Sequence, residues 1–309
     1  MGKTSIEWTD HSWPIVNGCR RISPGCGRAR GHGGCYAERL SATRLAHMPK
    51  YQGLAVITPQ GPRWTGEARL WEPHLRDPLK LRTPSRIFVA DMGDLFYEGV
   101  SDEDIDRVFA VMSLAPRHTF QVLTKRPKRM ATYLASRARS VKFWEKAARE
   151  IGYTFQFETL EGRTLGLCPF PLPNVWLGTS VEDLPRLERI DALRAIPWGV
   201  RFLSLEPLLE DLGTINLDGI DWMIVGGESG PGASEMLPAW VRSLRDQSVA
   251  ARVPFFFKQW GGVHKKKSGR ELDGRTWSEF PATSAPPVLE GALQPSPGSS
   301  TAGNAKGES

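Results

Sequence analysis

The chain has 309 residues, of which 40% are hydrophobic and 24% charged, and its formal net charge is +6. It can bury a sizeable core, either as one barrel-sized domain or as two modest ones. No apolar run approaches the roughly 18 residues needed to span a bilayer and no signal peptide opens the chain, so the expectation is a soluble cytoplasmic protein with no membrane contact.

The opening MGKTSI lacks the hydroxyl residue that a myristoylation signal requires at Ile6. Its GKTS has no preceding glycine loop, which excludes a phosphate-binding loop. The first predicted strand is SIEWTD (5–10), and a cysteine-bearing loop, 17–40, follows it. A helix is expected over CYAERLSATRLAHM, beginning at Cys35. Further strands are predicted at RIFVAD (86–91), TFQVLTK (119–125), NVWLGTS (174–180), RFLSLEP (201–207), DWMIVGGE (221–228) and VPFFFKQW (253–260). Several are apolar almost throughout rather than alternating, the pattern of parallel strands buried on both faces.

Helices alternate with these strands. One starts at Ser101, a good N-cap, with acidic residues in its first turn and Ile105, Val108, Phe109 and Met112 on one face. Others are expected over 181–197 and 238–251, and the link after Pro207 is too short for a full helix. Residues 139–173 read as an insertion before the fourth strand, with a helix of its own. From 281 to 309 proline, serine, glycine and alanine dominate, predicting a disordered tail beyond a single folded domain, 1–280. Alternation of this kind predicts an α/β fold, an open or closed β/α barrel, with a doubly wound sheet as its rival.

Ligands of such folds bind at the carboxyl ends of the strands. Those ends carry Asp91, Asp94, Thr124, Lys125, Arg126, Thr179, Ser180, Glu182, Glu206, Gly226, Gly227, Glu228, Ser229, Lys258 and Gln259. The loop NGCRRISPGCGRARGHGGCYAERL lies at the same rim. Cys19, Cys26 and Cys35, three of the chain's four cysteines, sit in it. In a cytosolic protein such clustering favours metal ligation over a disulfide framework. Two metal readings stand side by side. Three thiolates can hold three irons of a [4Fe-4S] cluster and leave the fourth iron open to a small ligand. Alternatively, His32 completes a Cys3His set suited to structural zinc. Cys168, in the insertion, reads as a separate buried thiol.

The run SIEWTDHSWPIVNGCRRISPGCGRARGHGGCYAERL resembles the opening of an uncharacterised bacterial and phage family with a three-cysteine motif ending in Cys-Tyr-Ala-Glu. RIFVADMGDLF, QVLTKRP, NVWLGTSVED, RFLSLEPLL, DWMIVGGESGPGA and PFFFKQWG resemble its later blocks, so the likeness spans most of residues 4–262. That family is regarded as similar to radical S-adenosylmethionine enzymes. The resemblance implies a partial β/α barrel and a cluster on Cys19, Cys26 and Cys35. It also implies S-adenosylmethionine on the open iron, an external electron donor, and radical hydrogen abstraction from an unknown substrate. If phage-encoded, the protein would work in the host-cell cytoplasm. Both cysteine gaps are wider than the usual three and two residues, the second through GRARGHGG.

On this reading Gly226 and Gly227 let a cofactor approach the backbone. Glu206, Glu228, Asp91 and Lys258 contact ribose, amino group or substrate, and Tyr36 packs on adenine. Two rival functions remain. Asp91, Asp94, Glu206 and Glu228 would suit a metal-dependent hydrolase on a barrel. A zinc-stabilised basic protein would bind nucleic acid through its arginine-rich loop and the run TKRPKR (124–129).

Overall fold

A computed structural model of the protein describes residues 1–27, 34–138, 140, 142–154, 170–263 and 265–282. Its centre is a mostly parallel eight-stranded sheet, whose strands we label β1 to β8: Gly2–Lys3, His11–Trp13, Arg86–Val89, Thr119–Thr124, Val175–Ser180, Val200–Leu205, Trp222–Gly226 and Phe255–Gln259. Spatial order follows sequence order from β1 to β8. β1 pairs antiparallel with β2, and every later pairing is parallel. Among the described residues, six helices of seven residues or more accompany it: α1 (Tyr36–Ala42), α2 (Asp102–Leu114), α3 (Pro127–Ala138), α4 (Lys142–Glu150), α5 (Glu188–Arg194) and α6 (Pro238–Ala250). Ser101 caps α2 as expected, its hydroxyl accepting from the Asp104 amide.

Because side chains alternate along a strand, each strand serves two cores. Outward-facing Ile87, Val89, Phe120, Val122, Val175, Leu177, Leu203, Leu205, Met223, Val225, Phe255 and Phe257 pack with the helices. Inward-facing Trp176, Phe202, Trp222, Ile224 and Phe256 form a second cluster with Trp8, joined by Phe88, Leu123 and Phe280. Two packed faces explain why the strands read as unbroken apolar runs.

The inner cluster also reports curvature. The Trp8 ring lies 4.8 Å from Phe88 on β3 and 6.3 Å from Trp222 on β7. In a flat sheet those strands would stand four spacings, roughly 19 Å, apart. The sheet therefore curls around Trp8, with β1 and β8 as its edges.

Several expectations need correcting. The first parallel strand is His11–Trp13, not 5–10, where the chain turns instead. Trp8 is drawn into the inner cluster, and its carbonyl accepts from Gln121 Nε2. The Asp10 carboxylate meanwhile grips Arg86 at the start of β3. The helix from Cys35 is shorter than expected and ends at Ala42, and the helix expected over 181–197 is limited to Glu188–Arg194 after one 3-10 turn. A hairpin, Ala55–Thr58 with Gly61–Trp64, occupies a stretch to which the sequence assigned no element. Beyond β8 the chain pairs Glu271–Leu272 with Arg275–Thr276 and then runs antiparallel to Phe256. Phe280 there stacks between Trp222, Phe256 and the Arg86 guanidinium, sealing the inner cluster. Most of the tail and much of the insertion lie outside the described residues. Among the described residues, no helix is long and apolar enough to cross a membrane.

Candidate functional site

A cavity of about 580 Å³ opens at the carboxyl ends of the strands. Ile6, Trp8, Phe88 and Leu123 line its apolar end. Asp91, Ser180, Ser204, Glu206 and Lys258 stand along its wall, and Cys19, Cys26 and Cys35 line it as well. The three cysteines and most of the rim residues singled out from the sequence thus meet in one place, whereas Thr179, Glu182 and Gly226 do not line the cavity. His32 and Cys168 lie outside the described residues.

Four buried charged side chains fix the cysteine loop. Glu38, one turn into α1 and 1% exposed, accepts from Arg21 through Nε and Nη2. It also accepts from the Trp64 amide, at 2.7 Å, tying the hairpin to the loop. Glu228 accepts from the Gly34 amide at 2.9 Å and, through its other oxygen, from the amide and hydroxyl of Ser234. Glu182, fully buried between Lys125 and Arg189, packs against Gly25, where an added Cβ would meet its carboxyl carbon at 3.1 Å. Arg126 donates to the Arg20 carbonyl at 2.9 Å and to Cys19 Sγ at 3.6 Å.

The wide second cysteine gap closes on itself. The Cys35 amide donates to the Cys26 carbonyl at 3.3 Å, so the chain leaves and re-enters at one point. Gly27 (φ 120°) and Gly34 (φ 123°) make that approach, and a Cβ on Gly34 would fall 3.3 Å from Gly27 Cα. Cys26 and Cys35 are thus neighbours despite the eight residues between them.

Burial pushes the Cys35 thiol up to about 11. Burial, followed by the Asp94 charge, pushes Cys19 up further still. Such thiols are protonated at neutral pH and are poor nucleophiles; metal binding would ionise them. Among the described residues, no three His, Cys, Asp or Glu side chains converge on a point where one metal ion would sit.

The remaining rim residues divide into committed and available groups. Glu228 is spent on the loop. Gly227 serves packing, since a Cβ there would strike the Trp260 carbonyl oxygen at 2.2 Å. Gly226 leaves room for the Glu206 carboxylate, 3.3 Å from the same construction. Glu206 takes Lys258 Nζ with both oxygens, at 2.7 and 2.9 Å. Tyr36 donates its hydroxyl to the Asp91 carbonyl, joining α1 to the end of β3. The Asp91 carboxyl is different: among the described residues, its Oδ1 is buried without a hydrogen-bond partner.

Burial raises the Asp91 carboxyl from the ordinary 3.8 to about 6. The folded state therefore holds this proton more tightly than the unfolded chain. The stability so contributed is complete below pH 4 and disappears as pH climbs through 6. Asp91→Asn should exceed the wild type in urea-unfolding free energy by about 1–3 kcal/mol at pH 7.5 and match it at pH 4. Equal stability at both pH values would mean that the carboxylate is solvated.

The run TKRPKR, read as a basic patch, is neutralised within the molecule. Lys125 pairs with Glu182, Arg126 with Asp94 and Glu98, Lys128 with Glu188, and Arg129 with Asp102. The sequence reading gave Glu38 no role, although it is the last residue of the Cys-Tyr-Ala-Glu segment and an acidic residue in the first turn of α1.

A family model described as "Protein of unknown function (DUF5131)" matches residues 3–281. No curated protein and no solved structure matches the chain.

Proposed function

We propose, from the premise that the chain belongs to the DUF5131 family, that it is a radical S-adenosylmethionine-like iron-sulfur enzyme on a partial β/α barrel. The observation that carries this reading is the gathering of Cys19, Cys26 and Cys35 on one cavity at the carboxyl rim. Three thiols on one cavity suit a four-iron cluster, each sulfur holding one iron and the fourth iron left open to a small ligand. Their burial-raised pKa values argue against a nucleophilic role.

When bound at these cysteines, the cluster would supply one electron to S-adenosylmethionine and so generate the radical that abstracts hydrogen. The chain's own residues bind, orient and exclude water. Trp8, Phe88, Leu123 and Ile6 give the inner end a dry apolar floor. Asp91 offers an acceptor to a ligand N–H or O–H, and such a partner would offset the cost of its burial. The Lys258–Glu206 pair presents a fixed dipole on the cavity wall, where a polar substrate group can be oriented.

The test is metal analysis with electron paramagnetic resonance on anaerobically reconstituted protein, with and without S-adenosylmethionine. The expected result is about four irons per chain, broad absorbance near roughly 400 nm, and a reduced-state signal that shifts when S-adenosylmethionine is added. Colourless protein holding one tightly bound zinc would overturn the reading.

A further inference from the structure

Arg126, from a run that reads in sequence as surface charge, has a side chain only 4% exposed. Its guanidinium reaches four partners. Nε donates to Glu98, Nη1 to Asp94 at 3.0 Å and to Cys19 Sγ at 3.6 Å, and Nη2 to the Arg20 carbonyl at 2.9 Å. The Tyr97 ring lies 4.9 Å from the guanidinium carbon. Asp94 is held in turn by the Thr124 hydroxyl and the Lys125 amide. A planar fork with this many fixed acceptors cannot swing away from the sulfur. Among the described residues, Cys19 is the one of the three thiols with a charged donor on its sulfur, and Cys26 Sγ meets the Ser23 hydroxyl at 3.8 Å.

We propose that Arg126 is a positioning and potential-setting residue for the metal centre, holding Cys19 and donating a charged N–H to its sulfur. This rests on the iron-sulfur reading above and deepens it. Reduction adds negative charge to a cluster, and hydrogen bonds and positive charge at its sulfurs favour the reduced form. In the low-dielectric surroundings of Arg126 that preference is not screened away. Arg126 thereby makes the centre easier to reduce than three thiolates alone would.

The experiment is a dithionite-mediated redox titration, followed by electron paramagnetic resonance, of anaerobically reconstituted wild type, Arg126→Gln and Arg126→Lys. Arg126→Gln is expected to shift the one-electron equilibrium at least tenfold toward the oxidised form, a midpoint about 59 mV lower. Arg126→Lys keeps the charge but not the fork, and its midpoint should lie between those of Arg126→Gln and the wild type. Should Arg126→Gln fail to retain iron, Arg126→Lys alone decides, by a midpoint below that of the wild type. Equal midpoints at equal iron content would overturn the proposal while leaving the cluster reading intact. Absence of iron from the wild type would instead overturn the reading on which the proposal rests.

Discussion

Cys26→Ser is expected to yield folded, colourless protein with at least about tenfold less iron than wild type after identical anaerobic reconstitution. A serine hydroxyl is a harder ligand than a thiol and stays protonated where a thiol would ionise, so iron affinity falls steeply. Cys26 is the cleanest of the three positions for this substitution. It sits on a single 3-10 turn, Pro24–Cys26, and among the described residues its sulfur has one weak hydrogen-bonding neighbour, the Ser23 hydroxyl, so little packing is lost. Cys19 and Cys35 should behave alike in iron content but carry larger packing costs, because each joins a hydrophobic cluster. Cys168→Ser is the control, with iron unchanged. Full iron content in Cys26→Ser alongside circular dichroism equal to wild type would remove Cys26 from the ligand set.

The second large effect concerns Glu38. Replacing it with alanine is expected to lower unfolding free energy by about 3–5 kcal/mol, read from the urea midpoint at unchanged slope. The substitution strands the Arg21 guanidinium and the Trp64 amide together. Arg21 is only partly buried, which keeps the effect toward the lower end of that range. Glu38→Gln keeps an acceptor for Trp64 while losing the charge, so its cost should be smaller. A loss below about 1 kcal/mol in Glu38→Ala would show that Arg21 and the hairpin find other partners. The two substitutions separate cleanly: Cys26→Ser removes metal and spares stability, whereas Glu38→Ala acts on stability first and on metal through loosening of the loop.

What the sequence disclosed follows from the physics of each element. Strands β3 to β8 were legible because both faces are packed, and a run such as Trp222–Gly226 has little else to be. The rim residues were legible because parallel strands point their carboxyl ends the same way. The first strand was misplaced because Trp8 is a ring that fills a hole, and in sequence such a residue cannot be told from one in a strand. The hairpin escaped notice because its Val56 and Ile57 are exposed, leaving no burial pattern to read. Charged clamps were the least visible class. Glu38 meets Arg21 across 17 positions and Trp64 across 26, and Arg126 meets Asp94 across 32. A run of like charge looks the same in sequence whether its partners are water or carboxylates brought in by the fold. Glu228, offered from the sequence as a ligand contact, lines the cavity and also holds the loop through the Gly34 amide, a partner 194 positions away.

The floor of the cavity has a mechanical corollary. Trp8, which lines it, is backed by Trp222, Phe202 and Phe256, and all four are 2% exposed or less. Rings packed at this density have no slack to give. Whatever rests on Trp8 must match a rigid contour rather than mould one.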